Sequence, residues 1–170
     1  MASRVIPVEP FDLVIFGATG DLARRKILPG LFHRFLVGQM PEEARIVGSA
    51  RSELDGAAFR DLVRAALIEF APQATERDDI LDAFLERVDY VHVDATGDDG
   101  WDALAARLRP EVVRAFYLSV SPTLFGPIAE RLKRAGFALP EGLDVREIRN
   151  DGALEDAVGA MLNLLQPESV

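Results

Sequence analysis

The chain has 170 residues, 49% of them hydrophobic, which is enough for one domain with a sizeable core and argues against disorder. A net charge of -9 argues against nucleic acid or an anionic membrane surface as a partner, no apolar run approaches the roughly 20 residues that span a bilayer, and the first residues carry no secretory pattern. With no cysteine there is no disulfide, no cysteine metal ligand and no thiol nucleophile, as expected of a cytoplasmic protein.

Residues 1–10 read as a loose lead-in. The unbroken apolar run Leu13, Val14, Ile15, Phe16 then predicts a strand at about 11–16, covered on both faces as parallel strands are. Gly17 and Gly20 follow and permit a tight turn with close approach of another group. A helix is predicted over about 21–37, with Leu28, Leu31, Phe32 and Phe35 on one stripe and Pro29 kinking it. The amides at such a helix start lack partners within the helix, and the dipole there favours an anion. Strand, glycine turn and helix start together predict a phosphate cradle, with a plain strand-to-helix turn as the competing reading. The glycine spacing is G-x-x-G-x-x-A over Gly17, Gly20 and Ala23, against the usual G-x-G-x-x-G/A, and Ala23 is small enough to let the helix pack closely on the strand. Asp21 is expected to cap the helix first and touch a ligand second. Arg24, Arg25 and Lys26 crowd a helix end that disfavours cations; a bound anion would offset this, unless the three are solvated.

A short second strand is expected at 45–49, and Arg51 follows it at once. In a dinucleotide fold this edge meets the adenosine ribose. An acid there binds the free 2′-hydroxyl of NAD, whereas an arginine suits the 2′-phosphate of NADP. Here Ser49, Arg51 and Ser52 offer hydroxyls and a guanidinium, with no carboxylate before Glu53. The planar guanidinium donates in pairs to phosphate, so NADP is the predicted cofactor. The competing reading pairs Arg51 with Glu53 or Asp55.

Helices are predicted at about 55–71 and 76–87, then a strand at 90–93. Asp94 ends that strand at the edge where ligands bind; contact with the adenine and capping of a turn are its two readings. His33 and His92 read as packed or surface histidines, and Trp101 as a packing residue. A short helix runs from Trp101 to Leu108 and a fourth strand from 115 to 120. Ser121 and Pro122 open a helix that reaches about 135, with proline suited to a first helical position. Val120, Ser121 and Pro122 leave a strand end and are expected to overhang the nucleotide. A polar fifth strand (143–150) and a helix (152–165) complete the reading. The alternation predicts an α/β, Rossmann-type doubly wound, mostly parallel sheet with helices on both faces.

Three segments, Gly17 to Ala23, Val47 to Ser52 and Phe116 to Pro122, resemble the NADP-binding domain of the glucose-6-phosphate 1-dehydrogenase family over roughly 11–137. The resemblance implies that Gly17, Ala18, Thr19, Gly20, Asp21, Leu22, Ala23 and Arg24 line the pyrophosphate. It also implies that Arg51 meets the 2′-phosphate and that Val120 to Pro122 lie near the nicotinamide end. Pro29 also resembles a family feature. The chain departs from the family after Gly136: Glu147 is followed by Ile148 where the family has E-K-P, and the R-x-D-H-Y-L-G-K segment with the catalytic histidine is absent. The α+β domain that binds the sugar phosphate and forms the dimer is absent as well. The organisation expected is therefore a lead-in (1–10), an NADP-binding domain (11–137) and a divergent tail (138–170).

The chain is expected to bind NADP and to lack a general base, hence to be inactive by itself toward glucose 6-phosphate, with no catalytic residue and no metal site assigned. The alternative is a non-catalytic module, a truncated or remodelled homologue that binds nucleotide or a partner. A short-chain reductase reading fails on spacing, since four residues beyond Tyr90 and Tyr117 stand Asp94 and Ser121 rather than lysine. A nucleotide domain without its neighbour leaves apolar surface uncovered, so self-association is expected.

Overall fold

The computed structural model describes residues 9–137, the side chains of Gln73 and Thr75 excepted. All of these residues fall in the compact unit Met1–Ala138. The strand and helix expected at 143–150 and 152–165 lie outside the described residues.

Four strands form one sheet: β1 (Phe11–Phe16), β2 (Arg45–Ala50), β3 (Val88–His92) and β4 (Val113–Leu118), in the order β3-β2-β1-β4. Every pairing is parallel, and Leu13 stands opposite Ile46 on one side and Ala115 on the other. β1 lies where the sequence places it. β3 and β4 each begin two residues earlier than their apolar patterns indicate, because strand length is set by the neighbour. Val113 pairs with Phe11 although it is exposed, and the ladder then runs in step to Leu118 opposite Phe16.

Alternation along the strands divides the core in two. Ile15, Ile46, Val88 and Tyr90 face α1 (Leu28–Leu36), α2 (Gly56–Phe70) and α3 (Asp78–Leu85). Val14, Phe16, Val47 and Val91 face α4 (Trp101–Arg107) and α5 (Phe125–Arg134). Each buried Phe, Leu or Ile contributes about 1.5–3 kcal/mol. On the first face α2 comes very close to the sheet: a Cβ at Gly48 would lie 2.3 Å from the Phe59 ring, so only glycine leaves room for that phenyl. Phe32 and Phe84 lock α1 to α3 edge to face, with centroids 5.4 Å apart. On the second face Trp101 packs against Phe16, and its indole N–H donates to the carbonyls of Asp94 and Gly97.

At the start of the helix that carries Pro29 the structure adds a feature that the residue pattern does not indicate. A π turn, Ala23–Ile27, precedes α1, and the Leu28 amide donates to the Ala23 carbonyl five residues back. Proline has no N–H and its ring crowds the carbonyl four residues earlier, and the wider turn gives that ring room. At the N-terminal end of β1, the fully buried Asp12 accepts from Arg109 Nη2 at 2.7 Å, from its Nε at 3.0 Å and from its amide at 2.7 Å. Among the described residues, no helix is long and apolar enough to cross a membrane.

Candidate functional site

The chain goes from β1 to β2 and β3 on one side, then crosses to β4 on the other. The crevice beyond the carboxyl ends of the strands at this reversal is where such sheets take ligands. A cleft of about 690 Å³ lies there. Its floor is apolar, with Phe16, Val93 and Ala95; its rim carries Thr19, Ser52, Arg51, Thr96 and Ser121.

The glycine turn is built by neighbouring strands rather than by its own sequence alone. Gly17 has φ +79°, and a Cβ there would lie 2.1 Å from the Ser119 carbonyl oxygen. Its amide donates to the Ser49 carbonyl at 2.8 Å, and the Ala18 amide donates to the same oxygen at 3.2 Å. The Gly20 amide closes the turn on the Gly17 carbonyl at 3.0 Å. The amides of Gly17, Ala18 and Gly20 are thus engaged within the protein. The helix proper opens with the bond from the Arg24 amide to the Gly20 carbonyl, 3.1 Å, which makes Gly20 the cap residue. The donors without an intrahelical acceptor are then the amides of Asp21, Leu22 and Ala23. These donors begin immediately after Gly20.

The side chains divide in the same way. Gly17, Thr19, Gly20, Arg51, Val120 and Ser121 line the cleft. Ala18 and Ala23 are fully buried and let helix and sheet approach, while Leu22 is exposed outside the lining. Asp21 does not cap its helix through its side chain; its carboxylate accepts from Arg25 Nε at 2.5 Å, one turn on. Arg24 Nη2 stands 4.0 Å from Glu69 of α2, and its Nε is buried without a hydrogen-bond partner among the described residues. Two of the three cations at the helix start thus have protein carboxylates nearby, and a bound anion is not required to explain them. Pro122 occupies the first position of a 3₁₀ turn, Pro122–Leu124, that leads into α5.

Arg51 differs from these. It is exposed at the end of β2 and, among the described residues, makes no ion pair or hydrogen bond. Asp55, the competing partner, instead caps α2, accepting from the Ala58 amide at 2.7 Å. Across the cleft mouth the Thr19 and Ser52 hydroxyls stand 3.5 Å apart. Asp94 takes the turn-capping arrangement: it accepts from the Thr96 amide and hydroxyl at 2.9 and 2.8 Å. The Thr96 bonds, with smaller help from the Gly97 amide and the Arg51 charge, hold its carboxyl below the ordinary 3.8. His92 lies beside Asp99, Nδ1 3.3 Å from the carboxylate, and His33 is exposed on α1.

Sequence reasoning missed Thr96, Thr123 and Leu124, which complete the rim. Thr96 was findable, since it stands just beyond the ligand-binding end of a predicted strand. Ser49 is also part of the lining, and its hydroxyl is fully buried without a partner among the described residues. Free first-turn amides, an unengaged guanidinium and paired hydroxyls around an apolar floor suit a nucleotide with a diphosphate and a further phosphate.

Comparison with known proteins agrees with this chemistry. The family described as "Glucose-6-phosphate dehydrogenase, NAD binding domain" matches residues 14–146. Glucose-6-phosphate 1-dehydrogenase of Gluconobacter oxydans is 41% identical over 162 residues, covering 89% of this chain and 33% of that protein. Its counterpart in Rhizobium meliloti is 43% identical over 135 residues, covering 78% and 28%. Among solved structures, a glucose-6-phosphate dehydrogenase in complex with its substrate glucose-6-phosphate superposes with a TM-score of 0.69 at 26% identity, covering 97% of this chain and 35% of that one. The Mycobacterium avium glucose-6-phosphate 1-dehydrogenase gives 0.66 at 28% identity, covering 94% and 35%. The chain spans about a third of the length of these relatives.

Proposed function

The chain belongs to the glucose-6-phosphate dehydrogenase family, in the part described as its NAD binding domain, and from this we propose that it holds NADP for the oxidation of glucose 6-phosphate. The observation that carries this reading is Arg51, a guanidinium at the end of β2 that makes no hydrogen bond or ion pair among the described residues and faces the same cleft as the glycine turn. Arg51 takes the 2′-phosphate in a paired, charge-assisted contact. The amides of Asp21, Leu22 and Ala23 take the pyrophosphate, with Gly17, Ala18, Thr19 and Gly20 letting it come close to the backbone. Val120, Ser121 and Pro122 border the nicotinamide end, and Asp94 shapes the adenine side by fixing the Thr96 turn.

In the whole reaction NADP accepts a hydride from the anomeric carbon of the sugar, while a base takes the hydroxyl proton and a lactone forms. Among the described residues lining the cleft, Arg51 is the one ionisable side chain. The base therefore comes from outside this lining. In this reading residues 11–137 carry the cofactor. We place the protein in the cytoplasm. The exposed Val113, Tyr117 and Phe125 around β4 and α5 support self-association.

The test is a titration of the purified chain with NADP, followed by addition of glucose 6-phosphate. Saturable NADP binding without NADPH formation is expected. Absence of binding, or NADPH formation at a normal enzymatic rate, would contradict the proposal.

A further inference from the structure

Arg51 and Ser52 lie beyond the sheet: the last β1–β2 pair is Phe16 with Ser49, and the last β2–β3 pair is Ala50 with His92. The chain bends there, and among the described residues the Arg51 side chain makes no hydrogen bond or ion pair that would steady it, its charge acting only at longer range on Asp94. A residue that must present a guanidinium at a fixed place needs its backbone held by something else.

Tyr90 supplies that hold. Its hydroxyl reaches up from β3 and lies 3.0 Å from the Ala50 carbonyl oxygen and 2.7 Å from that of Ser52. These are the carbonyls of the residues immediately before and after Arg51. The Ala50 carbonyl also accepts from the Val93 amide at 3.1 Å, and the Ser52 carbonyl from the Leu54 amide at 3.0 Å, so the phenol ties the sheet end to the start of the following turn. Tyr90 is 4% exposed and its ring packs on Phe59, centroids 4.9 Å apart, while Phe59 fills the space left by Gly48. A ring fixed on this support fixes its hydroxyl.

We propose that Tyr90 is a positioning residue for cofactor choice: its hydroxyl pins the backbone on both sides of Arg51 and so aims the guanidinium at a 2′-phosphate. This rests on the NADP reading above and names a residue outside the cleft lining as part of its specificity. Burial keeps the phenol neutral, with its pKa raised above 10.0, so that it remains a donor across the working pH range. The brace acts only on the part of the ligand that Arg51 reads. Its loss should weaken NADP and leave NAD nearly untouched.

The experiment compares Tyr90→Phe with the unmodified chain by calorimetry, using NADP, NAD and 2′,5′-ADP, which carries the 2′-phosphate without nicotinamide. Loss of one buried hydrogen bond that orients a contact should weaken NADP and 2′,5′-ADP roughly fivefold and NAD by less than about twofold. Tyr117→Phe, altering an exposed tyrosine on β4, should change none of them. Equal weakening of all three ligands, or no change in any, overturns the inference. If the unmodified chain shows no NADP binding, the cofactor reading fails and the inference with it. If the unmodified chain prefers NADP and Tyr90→Phe keeps that preference, only the role of Tyr90 fails. Should the variant not fold, the unmodified chain still decides: a hydroxyl proton held between two carbonyls exchanges slowly enough to be seen by NMR, and rapid exchange overturns the brace.

Discussion

Gly17 and Ser119 meet so closely that a single added carbon would sit 2.1 Å from the Ser119 carbonyl oxygen. The contact joins the turn after β1 to the exit of β4, the two strands that flank the reversal of the sheet. Gly17→Ala must also place a side chain at φ +79°. Left-handed strain costs about 1–2 kcal/mol and overpacking about 1–3 kcal/mol, so a loss of about 2–5 kcal/mol is expected. Urea unfolding measures it, and NADP affinity should fall with it because the cleft wall moves. A variant of unchanged stability would show that the two segments are not held together as described.

The Asp12–Arg109 pair predicts a pattern that separates fold from site. Asp12→Ala strands the Arg109 guanidinium, which keeps its bonds to the carbonyls of Phe11 and Glu43 at 3.2 and 2.8 Å. Breaking a buried pair by removing one partner costs about 3–5 kcal/mol, and the residual bonds point to the lower end. Replacing both residues with apolar ones should cost less than the single change, as a double-mutant cycle would read out. Because the pair lies at the N-terminal end of β1, variants that fold should bind NADP normally. A change in affinity at unchanged fold would contradict this separation.

Asp94 gives the pH dependence. Its carboxyl is held below 3.8 in the folded chain by the Thr96 bonds. The stability it contributes is complete above the unfolded carboxylate value and is lost as the pH falls through the lower folded value. Asp94→Asn should therefore flatten the acid limb of the stability curve below about pH 4. Denaturant unfolding across that range checks it, and an identical acid limb in the variant would rule out the assigned turn.

Much of this arrangement was legible in the sequence because its signals are local. The apolar run Leu13 to Phe16 marks a buried strand wherever it occurs, and Gly17, Gly20 and Ala23 follow it at a spacing that only a turn and a helix start explain. Arg51 was legible for the same reason, following its strand without interruption. What was hidden depends on partners distant in the chain. The Gly17 and Ala18 amides bond to Ser49, so the free donors shift to Asp21, Leu22 and Ala23. Arg24 faces Glu69 on another helix. Asp12 and Arg109 find each other across the fold. The π turn ahead of Pro29 is likewise not marked by the residue pattern.

Cofactor selection by Arg51 is the centre of the account, and calorimetry with NADP and NAD on the unmodified chain and on Arg51→Ala tests it most directly. The unmodified chain should prefer NADP. Arg51→Ala should lose about 1.5–3 kcal/mol toward NADP, roughly ten- to a hundredfold in affinity, with NAD almost unchanged. An Arg51→Ala chain that still prefers the 2′-phosphorylated cofactor would contradict the account.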